Sequence, residues 1–218
     1  LILYYKINYC SFSTKMYKQN KSLSLLGHTL IKVLRHNKDK KIIFDVEGYT
    51  NLTNLLTYLG YKDIMIDDIK VIIDNCQKQR FSLKQSINET ELENDNSWYI
   101  RANQGHSFSI NPNSIFTSIT EPEQYQGCFH GTNSKSLEVI QDFGGLSIMN
   151  RTHIHIAISK DAKSGHRKSC NVFIYIDIVK AVNDGIKFYL SSNGVILTKG
   201  VEYTGLLPST YFSSIESL

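Results

Sequence analysis

Residues 171–178 read NVFIYIDI, a nearly continuous run of β-branched and aromatic side chains. A short apolar run of this kind predicts a strand that is buried on both faces of a sheet. Downstream, FYLSSNGVILT at 188–198 has Asn193-Gly194 between two apolar runs, which predicts a β-hairpin. Upstream, HIHIAIS at 153–159 alternates with a period of two, as a strand does. The second half of the chain is therefore expected to be built on a sheet.

Further elements complete the prediction for this half. CFHGTN at 128–133 is expected to form a short strand that leads into a turn. Ser134 can cap a following helix, which Gly144-Gly145 would close. The polar stretch NPNSIFTSITEPEQ at 111–124 holds two of the three prolines, so we expect it to connect the two halves. The inward side chains of the helix would be Leu137, Ile140 and Phe143.

The first half of the chain predicts three helices followed by a hairpin. Apolar residues recur at helical spacing up to LRHN, Thr50 or Asn51 can cap a second helix that Gly60 would stop, and Asp67 can begin a third. RFSL at 80–83 and SWYIRA at 97–102 are typical of two strands, joined by the acidic NETELENDN loop. This order is the outline of a winged helix, a scaffold often used on nucleic acids, although an outline alone establishes no function. The inward positions would be Leu23, Leu26, Leu30, Val33 and Leu34, then Leu52, Leu55, Leu56 and Leu59, then Ile69, Ile72, Ile73 and Cys76.

Length, charge and cysteine content limit the class of protein. With 218 residues, of which 41% are hydrophobic and 20% charged, the chain is expected to fold. It lacks the roughly 18 uninterrupted apolar residues that a membrane-spanning helix needs. Residues 1–120 hold 15 Lys and Arg against 11 Asp and Glu, whereas residues 121–218 hold nine of each. The positive excess, densest from Lys18 to Lys41, fits either an anionic partner or a solvated basic face. Four scattered cysteines predict a reducing cytosol or nucleus, and neither a disulfide framework nor a zinc site.

Motifs narrow the chemistry further. The chain contains no G-x-x-x-x-G-K-[ST], G-x-G-x-x-G, H-E-x-x-H, G-x-S-x-G or C-x-x-C motif, which removes most support for a kinase, a serine hydrolase or a zinc hydrolase. His153 and His155 would share a strand face, as two metal ligands do, but no third ligand has a recognised spacing, so no metal is expected. What remains is a set of basic residues at the ends of elements: Arg35-His36, Arg80, Arg101 and Arg151. Taken singly, each fits helix capping or a surface charge as well as a site.

Together these residues lie in runs that resemble the tRNA 2′-phosphotransferase family. The resemblance holds in order and spacing from about residue 22 to residue 212. We expect residues 1–15 to be an extension outside the fold or not to be made, because Met16 begins a basic stretch that is typical of a natural start. The matching runs are LIKVLRHN (30–37), DVEGYTNLTNLL (45–56), KQRFSL (78–83), IRANQGHS (100–107), FHGTN (129–133), GGLSIMNRTHIHIA (144–157), GHRKSCNVFIYID (165–177) and DGIKFYLSSNGVILTKG (184–200).

The resemblance implies an α+β fold of two lobes. The first, over 16–115, would be a winged-helix lobe that binds RNA, and the second, over 116–218, a β-rich lobe that resembles ADP-ribosyltransferases and binds NAD. The implied function is removal of the internal 2′-phosphate of spliced tRNA, with NAD as co-substrate and no metal. In the first implied step, the RNA 2′-phosphate attacks the anomeric carbon of the NAD ribose and expels nicotinamide. In the second, the adjacent ribose hydroxyl attacks that phosphate, which releases 2′-hydroxyl RNA and ADP-ribose 1″,2″-cyclic phosphate.

The resemblance also assigns candidate residues. Arginines suit the phosphate because a planar guanidinium grips two oxygens and stays protonated, and His36 would donate a hydrogen bond to it or manage the proton of the attacking hydroxyl. The catalytic set is Arg35, His36, Arg80 and Arg151, with Arg167 as the alternative position for the last arginine. Candidates for NAD are His130, Gly131, Thr132, His155, Ser191 and Asn193. Candidates for the RNA substrate at the junction of the lobes are Arg101, Gln104, Gly105, His106 and Ser107.

Two rival functions stay open at this point. An enzyme of the same fold could ADP-ribosylate terminal phosphates of RNA or DNA without the second step, and it would bind NAD through the same residues. A non-catalytic RNA-binding module would keep the basic first half, but the intact arginine set argues against it. We expect a monomer without membrane attachment, in the cytoplasm or nucleus, acting on tRNA or on another RNA that bears a 2′-phosphate.

Overall fold

The structure, a computed structural model, describes residues 22–36, 39, 41–85, 97–202 and 204–218. Its elements form two bodies with separate cores, which we call the helical lobe (described residues within 22–102) and the sheet lobe (described residues within 112–218). The mixed helix and sheet content confirms the α+β class. The expectations for residues 1–15, the NETELENDN loop and parts of the Lys18–Lys41 run lie outside the described residues. No helix within the described ranges is long and apolar enough to cross a membrane.

The helical lobe packs the apolar stripes of three helices on one small antiparallel sheet. Leu30, Leu55 and Ile69, one from each helix, are almost completely buried and share a core with Ile100 of the sheet. The strand order is β1-β3-β2. The elements are α1 (22–35), β1 (Thr50–Asn51), α2 (Leu52–Tyr58), α3 (Ile66–Asp74), β2 (Phe81–Gln85) and β3 (Trp98–Ala102).

The helix ends follow local capping signals. Asn51 is the N-cap of α2, and Gly60 follows that helix with φ 80°, so both predictions are confirmed. The start of α3 was predicted one residue late. The helix begins directly before Asp67, because Met65 is its N-cap and donates its N–H to the Asp68 carboxylate at 3.1 Å. Such a cap satisfies a backbone donor that the first turn leaves without a partner.

The sheet lobe is built on seven antiparallel strands with a separate two-stranded ribbon. The order in the large sheet is β12-β8-β5-β7-β10-β9-β4, and β11 pairs with β6. The elements are α4 (Pro112–Ile115), β4 (Thr117–Ser118), a 3-10 turn (Pro122–Tyr125), β5 (Phe129–Thr132), α5 (Ser134–Asp142), β6 (Gly145–Ser147), β7 (Ile154–Ala157), β8 (Val172–Ile176), α6 (Ile178–Asn183), β9 (Phe188–Leu190), β10 (Val195–Thr198), β11 (Leu206–Pro208), a second 3-10 turn (Ser209–Tyr211) and β12 (Phe212–Ser217).

The three strand segments of the second half form as predicted. Four of the five residues of β8 are buried, which confirms a strand covered on both faces. The hairpin at Asn193-Gly194 is confirmed by the pairing of Leu190 with Ile196. β7 is shorter than HIHIAIS, and all four of its residues are buried because it lies between β5 and β10 inside the sheet.

Three local expectations of the second half were wrong. Asn133, not Ser134, caps α5, because the Asn133 side chain accepts the Ser136 N–H at 3.0 Å. Phe143 was expected to point inward but is 66% exposed, since it lies just beyond the helix as its C-cap. The 111–124 stretch is more than a connector, because its β4 adds an edge strand to the large sheet by pairing with β9.

The end of β3 carries the chain from one lobe to the other. Residues Asn103–Ser107, which we call the junction segment, leave the small sheet directly after Ala102. Three of its residues, Asn103, Gln104 and His106, are buried polar residues. Buried polar groups need partners, so the contacts of this segment largely decide how the two lobes meet.

Truncation of Ile174 should destabilise the protein strongly. Ile174 in β8 is completely buried, so Ile174→Ala should lower the free energy of unfolding by about 2–5 kcal/mol through lost burial and a residual cavity. Its neighbour across the ladder, Ile215 in β12, is 40% exposed and provides a matched control. Ile215→Ala should cost about 1 kcal/mol or less. Urea titration of both variants measures the difference, and equal losses would contradict the buried position of β8.

Candidate active site

Arg35 ends α1 and is held at the lobe junction by its own carbonyl group. That carbonyl accepts the Ser107 N–H at 2.8 Å and the Ser107 hydroxyl at 3.2 Å. Gly105 lies against the guanidinium with φ 89°, and a Cβ there would come within 3.1 Å of Arg35 Nε. A side chain at position 105 would therefore displace Arg35, which accounts for glycine in this part of the junction segment.

Arg80 is held by the side chain of Asn103. The Asn103 amide donates to the carbonyls on either side of Arg80, those of Gln79 (2.8 Å) and Phe81 (3.2 Å), while the Asn103 N–H donates to the Arg80 carbonyl at 2.9 Å. Gln79 has φ 44°, a left-handed conformation that a non-glycine residue adopts at some cost. The Arg80 guanidinium contacts Cys76 Sγ at 3.7 Å. The backbone around Arg80 is thus held in a single conformation.

Arg151 lies on the sheet lobe, just before β7. The next residue, Thr152, donates its N–H to the His106 carbonyl at 3.0 Å, so the junction segment also holds this arginine. The Arg151 guanidinium makes a long hydrogen bond of 3.4 Å to His155 Nδ1. Arginine can only donate, so His155 Nδ1 accepts and its proton lies on Nε2.

These arginines share a site that is rich in cations. Burial, then Arg151 and Arg80, lower the pKa of Arg35 to about 10. Burial, then Arg167, lower the pKa of Arg151, and burial, then Arg80 and other cations, lower that of Lys78. None of the ion pairs within the described ranges includes any of these residues. Gathered cations without carboxylate partners favour an anion, and a phosphate fits arginine forks.

His106 lies completely buried beside this cluster. Neither ring nitrogen has a hydrogen-bond partner among the described residues, and Phe108 packs against the ring edge at 5.3 Å between centroids. Burial, then the charge of Arg35 and other nearby basic groups, lower its pKa to about 3. His106 is therefore neutral near pH 7 and adds no further charge to the arginine cluster.

His130 and His155 form a second part of the site, on neighbouring strands. The His155 carbonyl accepts His130 Nδ1–H at 2.9 Å, which leaves His130 Nε2 as an acceptor. His155 Nε2 carries a proton, is buried, and has no partner within the described ranges. Burial is the largest cause that lowers the pKa of both rings, so both are neutral. An unpartnered buried N–H beside an acceptor suits a ligand with polar groups of both kinds.

The remaining predicted residues occupy different surroundings. His36 is exposed and lines a groove of about 400 Å³ along α1. Arg101 lies on the face of the small sheet opposite to the core, 4.6 Å above the Tyr49 ring, and donates to the Glu47 carbonyl. Gln104 is buried in the junction segment. Gly131 packs so closely on the loop carrying Cys170 that a Cβ would come within 2.9 Å of Cys170 Sγ. Thr132, Ser191 and Asn193 complete the set, of which Asn193 contacts the Lys78 carbonyl at 2.9 Å.

Several residues at the site escaped the sequence analysis. Asn103 stands inside IRANQGHS, and Lys78 and Gln79 precede Arg80, but nothing in their local pattern signals a contact partner far along the chain. Ser164, which donates to the Lys78 carbonyl at 2.8 Å, had no signal at all. Asn103 continues directly from β3, whose inward residues Ile100 and Ala102 are apolar. A polar residue at that position could have indicated a buried hydrogen-bonding role for Asn103. In the residues that the structure describes, no three His, Cys, Asp or Glu side chains form a group able to hold a metal.

Comparison with known proteins confirms the resemblance stated from the motifs. A family model described as RNA 2′-phosphotransferase, Tpt1/KptA family, matches residues 21–200, a range that includes every candidate site residue. The chain is 35% identical over 199 residues to tRNA 2′-phosphotransferase 1 of Danio rerio, covering 88% of this chain and 85% of that protein. It is 36% identical over 193 residues to the tRNA 2′-phosphotransferase of Saccharomyces cerevisiae, covering 84% and 78%. It is 33% identical over 196 residues to tRNA 2′-phosphotransferase 1 of Homo sapiens, covering 88% and 75%.

The buried His106 should make stability depend on pH. Its pKa of about 3 lies below the value of about 6.5 in an unfolded chain, so the unfolded state binds the proton between these values. The free energy of unfolding should therefore fall as pH falls below about 6.5, by up to about 1.4 kcal/mol per pH unit from this residue. His106→Phe should reduce that slope between pH 7 and pH 5.

Urea titrations of both proteins across this range measure the slope. At pH 8 the His106 ring is neutral in both the folded and the unfolded state. The difference in the free energy of unfolding between the parent protein and His106→Phe at that pH therefore gives the separate packing effect of the substitution. An unchanged slope in a folded His106→Phe variant would contradict the neutral, buried state of His106.

Proposed function

Because the chain belongs to the RNA 2′-phosphotransferase family, we propose that it is a transferase that removes the internal 2′-phosphate of spliced tRNA and passes it to NAD. The relatives in Danio rerio and Saccharomyces cerevisiae are named tRNA 2′-phosphotransferases. The observation that carries the proposal is the group of three arginines, Arg35, Arg80 and Arg151, which have no carboxylate partner among the described residues. Such a group is arranged to receive an anion.

The arginines suit transfer of a phosphate. A phosphate dianion is itself a nucleophile, so the protein needs to orient it and to stabilise charge rather than to create a base. In this proposal Arg35 and Arg80 from the helical lobe and Arg151 from the sheet lobe hold the oxygens from two sides. His36, next to Arg35, donates a hydrogen bond to the phosphate or takes the proton of the attacking hydroxyl.

The histidines of the sheet lobe fit NAD. When bound, NAD supplies an electrophilic ribose carbon and the nicotinamide leaving group. The neutral His155 offers an unpartnered N–H and the neutral His130 offers an acceptor nitrogen, which match the polar groups of such a ligand. We assign His130, Gly131, Thr132 and His155 to this role. Ser191 and Asn193 were expected to share it, but their side chains contact each other at 2.9 Å and, through Asn193, the Lys78 carbonyl.

The RNA is assigned to the helical lobe. A cavity of about 530 Å³ between α1 and α3 is lined by both Arg35 and Arg80, which supports its assignment to the substrate. Gln104 to Ser107 lie at the same junction, and Arg101 adds a cation on the outer face of the small sheet. Of these five residues, we propose Arg101 and Ser107 as contacts to the RNA, and the buried Gln104, Gly105 and His106 as the support that shapes the substrate side of the site.

The proposed lobes divide the chain close to the boundary of the two cores, although α4 (Pro112–Ile115), at the end of the first proposed lobe, packs with residues of the sheet lobe. We assign a winged-helix RNA-binding lobe to residues 16–115, on the order of three helices and a hairpin, and an NAD-binding lobe that resembles ADP-ribosyltransferases to residues 116–218, on the seven-stranded sheet. We propose that the protein acts as a monomer in the cytoplasm or nucleus, where the tRNA substrate is found.

The direct test mixes the protein with NAD and a short RNA that bears one internal 2′-phosphate, without added metal. Conversion to 2′-hydroxyl RNA, with release of nicotinamide and ADP-ribose 1″,2″-cyclic phosphate, is the expected result. Mass spectrometry of the RNA and chromatography of the nucleotides measure it. The same RNA without the 2′-phosphate is the control and should leave NAD intact.

Two other results would reject the proposal. Stable ADP-ribosylated nucleic acid without cyclic phosphate would mean that only the first step occurs, as in transfer to terminal phosphates. No consumption of NAD by folded protein, together with no rise in melting temperature on addition of NAD, would leave an RNA-binding module, because a bound ligand stabilises the folded state.

Substitution of Arg80 should abolish turnover without unfolding the protein. Arg80→Ala removes a guanidinium assigned to the phosphate, and a loss of at least about 1000-fold is expected, as for other arginines that stabilise a transferring phosphoryl group. Arg80→Lys should also fail, because a point charge cannot replace the two-pronged contact. Lys62→Ala removes an exposed charge from the same lobe and should keep near-normal turnover.

Single-turnover assays with the 2′-phosphorylated RNA measure all three variants. Each variant should still bind NAD, which is measured as a rise in melting temperature when NAD is added. An active Arg80→Lys protein would mean that positive charge alone suffices, and an active, folded Arg80→Ala protein would remove Arg80 from the catalytic set.

A further inference from the structure

The backbone of Lys78 is bound by side chains from the other lobe. Its carbonyl accepts the Ser164 hydroxyl at 2.8 Å and the Asn193 amide N–H at 2.9 Å. Its ammonium group donates to the His166 carbonyl at 2.9 Å. Lys78 belongs to the helical lobe, whereas its three partners belong to the sheet lobe, so this contact crosses the lobe boundary directly.

The two side chains on the Lys78 carbonyl are themselves held in place. Ser164 is 4% exposed, and Ser191, which is 3% exposed, donates its hydroxyl to Asn193 Oδ1 at 2.9 Å. The Lys78 carbonyl can only accept a hydrogen bond, so the Asn193 NH₂ group must face it, and Asn193 Oδ1 then faces the Ser191 hydroxyl, which also lies 3.0 Å from the Val195 carbonyl. A carbonyl that accepts two donors in fixed positions, one of them on the buried Ser164, is held more firmly than one exposed to water.

The bound carbonyl is two residues from Arg80. Between them, Gln79 has φ 44° and its carbonyl accepts the Asn103 amide at 2.8 Å. The stretch from Lys78 to Arg80 is thus held on one side by Asn103 of the junction segment and on the other by Ser164 and Asn193 of the sheet lobe. With both ends of the left-handed turn fixed, the direction in which the Arg80 side chain leaves the backbone is fixed as well.

We propose that Ser164 and Asn193 are positioning residues for Arg80, which they orient across the lobe boundary through the Lys78 carbonyl. This inference rests on the proposed role of Arg80 in binding the RNA phosphate. The sheet lobe then contributes to phosphate recognition in two ways, directly through Arg151 and indirectly through this contact. Asn193 accordingly acts on the RNA side of the reaction and not on NAD.

The loop that carries Ser164, between β7 and β8, also contacts the strands that hold the NAD candidates. Gly165, next to Ser164, packs so closely on Ala157 that a Cβ would come within 2.7 Å of the Ala157 Cα. His166 packs against Phe129 at 5.4 Å between ring centroids and lies beside Gly131. The loop that holds Lys78 is therefore seated on the strands of the NAD candidates, which connects both halves of the proposed site by direct contacts.

The test measures how strongly the protein prefers RNA with a 2′-phosphate. Two fluorescent RNAs, identical except for a 2′-phosphate or a 2′-hydroxyl at one internal position, are titrated with the full chain in the absence of NAD. The preference ratio is the dissociation constant for the 2′-hydroxyl RNA divided by that for the 2′-phosphate RNA, and it reports recognition of the phosphate alone. A purely structural defect would weaken the binding of both RNAs and leave this ratio unchanged. Arg80→Ala should lower the ratio by at least about tenfold.

The double variant Ser164→Ala, Asn193→Ala should lower the ratio by about tenfold as well, because it removes both donors from the Lys78 carbonyl. Combined with Arg80→Ala it should cause no further loss, since residues that act through Arg80 have no effect once Arg80 is absent. Ser192→Ala, at an exposed position of the same hairpin, is the matched control and should keep the parent ratio. Each single variant removes one donor and should lose about threefold, which keeps the test valid if the double variant does not fold.

The outcomes separate the two proposals. An unchanged ratio in folded Ser164→Ala and Asn193→Ala variants, while Arg80→Ala loses it, would overturn the positioning role and leave the proposed function intact. A further loss in the triple variant would also overturn it, because the two residues would then act independently of Arg80. An unchanged ratio in Arg80→Ala would overturn the role of Arg80 itself, and the inference with it.

Discussion

The mutual repulsion of three arginines is the constraint on which the rest of the site depends. Guanidinium groups that lie close together in a partly buried site repel one another. In the absence of an anion, other interactions must therefore hold them in place. The junction segment holds all three by their backbones: Ser107 binds Arg35, Asn103 surrounds Arg80, and His106 binds the residue after Arg151. The hydrogen bonds thus oppose the repulsion, and the proposed phosphate site is held in place by the protein alone.

The neutral histidines reduce the number of charges that must be held. His106, His153 and His155 are all buried, and burial is the largest cause that lowers the pKa of each ring. A protonated ring at any of these positions would have lost its hydration, and at His106 or His155 it would also add to the repulsion among the arginines. The positive charge is therefore carried by guanidinium groups, which cannot be deprotonated near neutral pH and which bind phosphate with directed hydrogen bonds.

Most elements of the fold could be predicted from local patterns. The leucine stripe of α1, the capping of α2 by Asn51 and the hairpin at Asn193-Gly194 each depend on residues within a few positions of one another. The errors were also local: α3 begins one residue before Asp67, the N-cap of α5 is Asn133 instead of Ser134, and Phe143 lies just past its helix. At α5, two neighbouring side chains of similar capping ability compete, and hydrogen-bond geometry selects Asn133.

Most helices and strands, the family and the residue types of the candidate site could be predicted from the chain, because spacing and motif order are local properties of a sequence. Which residues meet could not be predicted, because it depends on how the whole fold packs. Asn103 reaches Gln79, Ser164 and Asn193 reach Lys78, and Arg101 turns to Tyr49 on the outer face of its sheet. These contacts join residues up to 115 positions apart, and they form only when the two cores bring their surfaces together. No pattern within a short window specifies such a pairing, because its energy depends on the burial and orientation that the whole fold imposes.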